Sequence, residues 1–312
     1  MKIIYLGTNF FSSITLELLL KNNIKINYII CKKAKKMGRG LNLKKHPTEL
    51  CALKYKIPIQ SVDSVNTLKF KSFLQQLKPD LIILIEYFEK INIDIINIPK
   101  YGILNIHPSI LPQLKGATPI QSAIINNFYE TGVTIININN KLDSGDIISI
   151  IKYNITKHEN YNSLFKKLIK LSFKTLLHVL KNINIKLLQK QNTNHISYTY
   201  KFNKNFYKIN WFDSAGMINR KIRSTFNLKK HYANINNIYL NILMTCVIIN
   251  VNKIKKLPGT IIKISNLGID VITGFNILRI KKIQFSGKKI ISIIDFFNSK
   301  NKKIKINFIF NR

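Results

Sequence analysis

Short apolar runs that alternate with helical patterns restrict the fold of the first half of this chain. The clearest run is LIILI at residues 81–85, and KIIYL near the start and GILNIH at residues 102–107 are of the same kind. Runs this short and this apolar are typical of strands that are buried on both faces of a parallel sheet. Helical patterns lie between them, for example at residues 12–20 and 65–77. The alternation predicts an α/β fold with a mostly parallel sheet and helices on both faces.

Polar side chains end one of these runs and mark a candidate site. Asn105 and His107 are two residues apart, so on a strand both point to the same face. A buried amide and a buried imidazole both need hydrogen-bond partners, and ligands of α/β sheets bind at the carboxyl ends of the strands. Pro108 and Pro112 then stiffen the chain after the strand. Two polar residues with ordinary structural partners would give the same pattern, so the pair alone does not decide for a site.

The last third of the chain has a different pattern. From about residue 236, short β-type runs are separated by Asn, Gly and Pro, at residues 238–243, 247–251, 259–264, 268–273, 277–283 and 304–309. That spacing predicts a small β-barrel. Residues 182–200 are polar and weakly patterned, as in a linker. The chain of 312 residues is long enough for two domains. We place an N-terminal domain at 1–181, a linker at 182–205 and a C-terminal domain at 206–312.

The net charge of +36 has two competing explanations. Lysine, asparagine and isoleucine are abundant, and a biased genome composition would raise the charge with no functional meaning. A polyanionic partner, bound through its phosphates, would favour the same excess. Residues 202–312 carry 21 basic against three acidic residues, whereas residues 1–181 carry 26 against 11. We interpret the charge as mostly compositional, with a nucleic-acid component concentrated late in the chain.

Membrane and metal roles are not expected. No apolar run approaches the roughly 20 residues that a membrane-spanning helix needs, and the first residues are typical of a strand rather than of a signal peptide. Cys31, Cys51 and Cys246 are widely scattered. They form neither a metal-ligand spacing nor an even set for disulfides, so we predict no metal and a reducing, cytoplasmic location.

Three motifs carry a family resemblance. NIHPSILPQLKGATPIQ begins at residue 105, ETGVTII at 130 and LDSGDII at 142. In this order and spacing they resemble the folate-dependent formyltransferases, and among them the branch that acts on methionyl-tRNA. Weaker matches, YLGTNFFS, KKMGRGL and PGTII, extend the resemblance over nearly the whole chain. It implies a Rossmann-like catalytic domain followed by an OB-like β-barrel domain that binds tRNA.

The resemblance also implies a reaction and catalytic residues. A formyl group would move from 10-formyltetrahydrofolate to the amino group of methionyl initiator tRNA. Asn105, His107 and Asp143 match the catalytic positions of the family. An amide and an imidazole can stabilise the oxyanion of formyl transfer, and a carboxylate can orient the imidazole or accept a proton. On chemistry alone Asp146 competes with Asp143, and a turn aspartate that caps its own backbone is a further alternative.

The same resemblance assigns binding residues. It places the folate donor against the loop after the strand, namely Ser109, Ile110, Leu111 and Pro112. It places tRNA against a basic inserted loop and two later positions, namely Lys35, Lys36, Arg39, Lys201 and Arg223. An ordinary lysine-rich surface loop would have a similar sequence. We expect the protein to be a monomer.

The chain departs from the family pattern at three places, and two rival functions share some of its features. Asn9 stands at the usual proline, Tyr87-Phe88 at the usual aromatic-glycine pair, and FNLKK at residues 226–230 at an Asn-Pro-Trp-Pro-like stretch. A sugar-nucleotide N-formyltransferase would share the three catalytic residues. An RNA-binding protein without catalysis would share the charge. The intact catalytic residues argue against the second rival, and the charge argues against the first.

Overall fold

A computed structural model describes residues 1–37, 42–185, 188–251, 254–299 and 304–311. The chain divides into two compact units. One contains Met1–Pro119, Glu130–Asn154 and Phe165–Tyr200, and the other contains Ile120–Tyr129, Ile155–Leu164 and Lys201–Arg312. Neither unit is a single continuous stretch of sequence.

Strands and helices alternate up to residue 200. The strands are β1 (Ile3–Gly7), β2 (Tyr28–Lys32), β3 (Lys35–Met37), β4 (Asn42–Lys44), β5 (Ile59–Val62), β6 (Leu81–Ile85), β7 (Ile103–His107), β8 (Lys115–Gly116), β9 (Glu130–Asn137), β10 (Asp146–Asn154) and β11 (Tyr198–Thr199). The helices are α1 (Phe10–Lys21), α2 (Pro47–Lys54), α3 (Leu68–Leu77), α4 (Ile93–Ile96), α5 (Pro119–Ile125) and α6 (Tyr161–Lys181).

A mostly parallel sheet forms the first unit. Seven strands of the described chain join it, in the order β10-β9-β7-β6-β1-β2-β5. The five from β7 to β5 run parallel, whereas β9 is antiparallel to β7 and β10 is antiparallel to β9. This arrangement confirms the predicted Rossmann-like class. The parallel strands all end at one edge of the sheet, and β7 brings Asn105 and His107 to that edge.

Neighbouring side chains of the central strand β1 pack against helices on opposite faces. Ile4 belongs to a buried cluster that also contains Phe70 of α3. Tyr5, one residue later, donates a hydrogen bond of 2.6 Å from its hydroxyl to the carbonyl of Ser12 in α1. Successive side chains of a strand point to opposite faces, so a continuously apolar run gives a sheet covered on both sides.

An antiparallel sheet forms the second unit. Its strands are β12 (His231–Ile235), β13 (Ile238–Ile248), β14 (Ile261–Ser265), β15 (Gly268–Ile272), β16 (Ile277–Phe285) and β17 (Ile291–Ser292), and its later helices are α7 (Ala215–Ser224) and α8 (Ile293–Asn298). The strand order is β12-β13-β16-β15-β14, with β17 paired to β16. Trp211 stacks on Phe310 in the core, with ring centroids 4.7 Å apart. The antiparallel sheet agrees with the predicted OB-like domain.

Two details of the predicted β pattern are wrong. Residues 238–243 and 247–251 are not separate strands, because β13 continues to Ile248 through ladder irregularities at Met244. A bulge interrupts the apolar alternation of the sequence, although the hydrogen-bonded ladder continues. The sequence pattern of this single strand therefore resembles that of two strands. Residues 304–309 form no strand either; they contain a turn and one bridge, from Thr260 to Ile309.

Part of the segment expected to act as a linker is bound to the first unit. Strand β11 pairs in parallel with β8, and Gln189 bridges to Ile147 in β10. The basic loop after β2 also contains secondary structure, since β3 and β4 form an antiparallel pair. Short pairings of this kind have no apolar repeat, so the sequence gives no signal for them.

Candidate active site

The carboxyl end of β7 presents two polar side chains to one face. Asn105 and His107 are both buried, with 9% and 5% of their surfaces exposed. Parallel pairing with β6 and antiparallel pairing with β9 fix the strand on both sides. A strand held in this way offers a rigid base for an amide and an imidazole that must keep a defined geometry.

Asp143 joins this pair from the turn between β9 and β10. Its Oδ1 accepts a hydrogen bond of 3.2 Å from Nδ2 of Asn105, and its Oδ2 lies 3.7 Å from Nδ1 of His107. The backbone N–H of Gly116 donates to Oδ2 at 2.8 Å. The structure therefore brings the three residues predicted from the family motif into one cluster.

The orientation of the His107 ring follows from its second nitrogen. Nε2 lies 2.9 Å from the carbonyl oxygen of Leu114. A carbonyl can only accept, so Nε2 carries the hydrogen of this bond. Nδ1 consequently faces the Asp143 carboxylate at a distance longer than a hydrogen bond. The ring thus presents to Asp143 the nitrogen that can bind or release a proton.

Asp146, the alternative carboxylate, lies elsewhere. It is the first residue of β10 and is paired with Asn137 of β9. Among the residues that the structure describes, no hydrogen bond links its side chain to Asn105 or His107. The geometry therefore supports Asp143 as the carboxylate of the cluster.

The loop after β7 is held tightly beside His107. The hydroxyl of Thr134 donates to the carbonyl of Ser109 at 2.7 Å and accepts from the N–H of Leu111 at 3.1 Å. The hydroxyl of Ser109 donates to the Gln113 carbonyl at 2.7 Å, and the Leu111-Pro112 peptide is cis. Leu111 packs on Ile136 and Ile147, in a small buried cluster. The predicted folate residues thus form a rigid loop, and their contact with a folate stays a prediction.

Similarity to known proteins extends over both units. A sequence profile described as formyl transferase matches residues 1–180, and one described as formyl transferase, C-terminal domain, matches residues 201–301. The chain belongs to the formyl transferase family. This confirms the resemblance on which the sequence interpretation rests.

Relatives of this formyl transferase are similar over nearly their full length. It is 37% identical over 304 residues to the methionyl-tRNA formyltransferase of Buchnera aphidicola subsp. Baizongia pistaciae. The aligned region covers 97% of this chain and 94% of that relative. The chain is 33% identical over 301 residues to the methionyl-tRNA formyltransferase of Rickettsia prowazekii, covering 96% and 97%.

Solved structures show the same fold at lower identity. The N-formyltransferase from Helicobacter canadensis, in complex with folinic acid and dTDP-3-aminofucose, matches with a TM-score of 0.65 at 22% identity, over 90% of this chain and 99% of that one. The sugar 3N-formyl transferase WlaRD matches with a TM-score of 0.65 at 24% identity, over 93% and 99%.

The residues of the formyl transferase that were predicted to bind tRNA have different settings. Lys35 and Lys36 belong to β3, whereas Arg39 lies outside the described residues. Lys201 is exposed and begins the last segment of the second unit. Arg223 is half-buried in α7, and its Nη1 donates to the carbonyl of Glu159. These residues are therefore divided between the two units, and their contact with tRNA stays a prediction.

Arg223 has spare hydrogen-bonding capacity. Burial lowers the pKa of its guanidinium, and the nearby Arg220 acts in the same direction. Its Nε is buried and has no acceptor among the described residues. The side chain lines a cavity of about 150 Å³ together with Asn127, Tyr129 and Lys157. A guanidinium with an unused donor beside a second cation is suited to an anion.

Sequence reasoning missed several residues around the cluster of Asn105, His107 and Asp143. Lys115 is buried, and its Nζ donates to the hydroxyl of Ser144 at 2.8 Å. Burial lowers the pKa of Lys115, and the Asp143 charge opposes that effect. The amide of Gln191 holds the Asp143 turn through backbone carbonyls. A lone lysine or glutamine in a polar segment gives no pattern that would single it out.

Glu86, directly after β6, is a half-buried residue whose Oε2 atom is buried. Burial raises its pKa to about 7, and hydrogen bonds from the backbone N–H groups of Ser12 and Phe11 oppose the rise. Its φ of 50° is in the left-handed region, and its Oε2 has no partner in the described part of the chain. An acid at the carboxyl end of an apolar strand is a signal that the sequence does contain.

Proposed function

We propose that this formyl transferase moves the formyl group of 10-formyltetrahydrofolate to the amino group of methionyl initiator tRNA. The observation that carries the reaction type is the cluster in which the Asp143 carboxylate lies between Asn105 and His107. Formyl transfer needs an oxyanion donor and a proton acceptor at one place, and this cluster supplies both.

Asn105 is the oxyanion donor of this proposal. An amide NH₂ group has two N–H donors, and the bond to Asp143 uses one of them. The second can donate to the formyl oxygen as it gains charge. The Nε2–H of His107 is occupied by the Leu114 carbonyl, so His107 acts through Nδ1, toward the proton rather than the oxygen.

The proton balance of the transfer involves the carboxylate. The acceptor nitrogen attacks the formyl carbon and forms a new C–N bond. The bond from that carbon to N10 of the folate breaks. The acceptor nitrogen gives up one proton, which Asp143 takes up directly or through water, and N10 receives a proton as it leaves.

The folate donor would bind along residues 109–112. Support comes from the rigid loop geometry beside His107 and from the folinic acid in the Helicobacter canadensis relative. No group of three or more His, Cys, Asp or Glu side chains in the described ranges is arranged to hold a metal ion. The proposed mechanism needs only the cluster and the two substrates.

The choice of acceptor rests on similarity and charge. The relatives that match over nearly the full chain are methionyl-tRNA formyltransferases, and a net charge of +36 suits a polyanion better than a small nucleotide sugar. Arg39, Lys35, Lys36, Lys201 and Arg223 would contact the RNA. Sugar-nucleotide formylation remains the second candidate, because solved relatives of the same fold carry it out.

The proposed domain roles follow the family profiles. Residues 1–181 would carry catalysis, 182–205 would connect, and 206–312 would bind RNA. In the described part of the chain, no helix has the length and apolar character needed to cross a membrane. We propose a monomer that acts in the cytoplasm, where initiator tRNA is charged.

One assay separates these candidates. The purified protein is given 10-formyltetrahydrofolate with a radiolabelled formyl group, and either methionyl-tRNA or a dTDP-amino sugar as acceptor. We expect label on the tRNA and at most trace label on the sugar. The reverse preference would replace the proposal by sugar formylation. Label on neither acceptor, with retained tRNA binding, would favour the non-catalytic RNA-binding alternative.

A further inference from the structure

A segment that lies about 50 residues after Asp143 in the sequence packs beside the cluster of Asn105, His107 and Asp143. We define residues 189–199 as the strap. At its start, the N–H and carbonyl of Gln189 form a pair of hydrogen bonds with Ile147 in β10, at 2.9 and 2.7 Å. At its end, β11 pairs with β8. Both anchors lie within the first unit, so the strap is part of the unit that contains the cluster.

Gln191 of the strap fixes the turn that carries the catalytic carboxylate. Its Nε2 donates to the carbonyl of Asp143 at 2.9 Å and to the carbonyl of Gly145 at 2.8 Å. Asp143 has a φ of 45°, a conformation that non-glycine residues rarely adopt without external support. One amide group therefore spans the turn and holds its backbone in the conformation that aims the Asp143 side chain.

The other end of the strap fixes the loop that orients His107. The N–H of Leu114 donates to the hydroxyl of Ser197 at 2.9 Å, and the N–H of Lys115 donates to the Ser197 carbonyl at 2.9 Å. Leu114 also supplies the carbonyl that receives Nε2 of His107. Leu114 therefore connects Ser197 to the imidazole. Ser197 fixes the position of Leu114, and the Leu114 carbonyl fixes the orientation of the His107 ring.

Gly116 connects the two halves of this arrangement. Its N–H donates to Oδ2 of Asp143, and its φ is 104°. A Cβ at this position would lie 2.4 Å from the carbonyl oxygen of Thr199, so only glycine allows the strap to approach so closely. The hydroxyl of Thr199 in turn donates to the Lys115 carbonyl at 3.1 Å.

We propose that the strap is a positioning element of the active site. Gln191 sets the Asp143 turn, and Ser197 and Thr199 set the loop that orients His107. The hydrogen bonds described above join these strap side chains to backbone groups rather than to the Asp143 carboxylate or the His107 imidazole. They act through the catalytic residues, so the inference rests on the proposed roles of Asp143 and His107.

The first test is the Gln191→Met substitution in the full-length protein. Methionine keeps the length and bulk of the side chain but removes both donors. We expect kcat for formyl transfer to fall about 10- to 100-fold, because small misplacements of catalytic groups have effects of this size. KM for both substrates and the melting temperature should stay close to the wild-type values. Asn194→Ala, in the exposed turn of the same strap, is the matched control and should leave all four unchanged.

A double-mutant cycle separates positioning from general damage. If Gln191 acts through Asp143, Gln191→Met should have little further effect in an Asp143→Asn background. An equal loss in both backgrounds would overturn the proposal, as would a loss explained by a raised KM or a lowered melting temperature.

Hydrogen exchange gives a readout that does not depend on activity. The amide of Gly116 is bonded to the Asp143 carboxylate and not to Gln191. We expect Gln191→Met to accelerate exchange of that amide measurably by NMR, while Asn194→Ala does not. Unchanged exchange would overturn the strap proposal. An inactive wild type with the predicted exchange pattern would instead contradict the proposed function and leave the strap standing.

Discussion

At the scale of single residues, Asn105 offers the most direct test of the chemistry. Its amide has one donor to spare for the formyl oxygen once the other is bonded to Asp143. We expect Asn105→Ala to lower kcat by about 10²- to 10³-fold, the usual effect of removing one oxyanion donor. Steady-state kinetics with methionyl-tRNA would measure it. Asp146→Asn, which changes a side chain outside the cluster, is the control and should stay near wild type. Loss in the control with normal turnover in Asn105→Ala would contradict the assignment.

Glu86 gives a prediction about stability rather than catalysis. Burial raises its pKa from 4.5 to about 7. Between these values the folded protein keeps a proton that the unfolded chain has released, so the free energy of unfolding falls as the pH rises through this window. Glu86→Gln removes the titration. At pH 8 the variant should be more stable than the wild type by up to about 3 kcal/mol, and at pH 4 the difference should vanish.

Denaturant unfolding of both proteins at the two pH values would measure this difference. Glu130→Gln, at the half-buried first position of β9, is the matched control and should show no such dependence. A Glu86→Gln difference that is the same at pH 4 and pH 8 would show that the buried carboxyl does not govern it.

The sequence predicts only part of this site. Spacing alone places Asn105 and His107 on one face of a strand, and the family motif adds Asp143. Spacing does not distinguish Asp143 from Asp146, since the difference depends on the path of a turn and a φ of 45°. Gln191 and Ser197 act through backbone groups more than 40 residues away. Such contacts depend on the folded chain, and no local pattern encodes them.

At the scale of elements, the long and strongly patterned segments are the predictable ones. The run predicted at 81–85 is strand β6, and the helix predicted at 12–20 lies within α1, because a fully buried run or an apolar helical face leaves little ambiguity. Several short elements were missed, among them β3, β4, β8, β11 and α8, which have two to six residues each. Their formation depends on a partner rather than on their own apolar pattern.

The β3–β4 pair leads to a prediction for the basic loop. The two strands pair from Lys35–Lys44 to Met37–Asn42, and Arg39 lies in sequence between them. We expect Arg39→Lys to impair formylation of methionyl-tRNA clearly, because lysine keeps the charge but lacks the planar guanidinium that pairs with phosphate or stacks on a base. Folate affinity should not change.

Rates measured over a range of tRNA concentrations would test this prediction. Replacing Lys35 and Lys36 together by alanine is the comparison, and it should lower tRNA affinity modestly and reduce its salt dependence. If Arg39→Lys gave wild-type rates throughout, the loop would be ordinary basic surface, and sugar formylation would become the better proposal.

At the scale of the whole molecule, the acidic residues of the C-terminal part are used for structure. Asp213 is paired with Lys221, Asp270 forms two hydrogen bonds with Arg279, and Asp295 bonds with Ser292 at the start of α8. These are the three acids of residues 202–312, against 21 basic residues. Positive charges therefore exceed negative charges by 18 (21 minus 3) in this part of the chain.

This imbalance predicts a strong response of RNA binding to salt. Counterions released from each contacted phosphate make the affinity fall steeply as salt rises. We expect the affinity for methionyl-tRNA to drop by about tenfold or more between 50 and 200 mM salt, whereas folate affinity changes little. Filter binding and fluorescence titration would measure the two. If the tRNA affinity did not depend on salt, the positive charge would reflect compositional bias rather than RNA binding.

The strap also has a consequence for how the enzyme is made. The hydrogen bond from Leu114 to Ser197 joins residues 83 positions apart, and that from Gln191 to Asp143 joins residues 48 apart. Contacts so distant form late, because a long loop must close before they stabilise anything. A chain that emerges from the ribosome N-terminus first presents Asn105, His107 and Asp143 well before the strap exists. Nascent chains should therefore stay inactive until residue 199 has emerged, so that synthesis itself sets the time at which formylation begins.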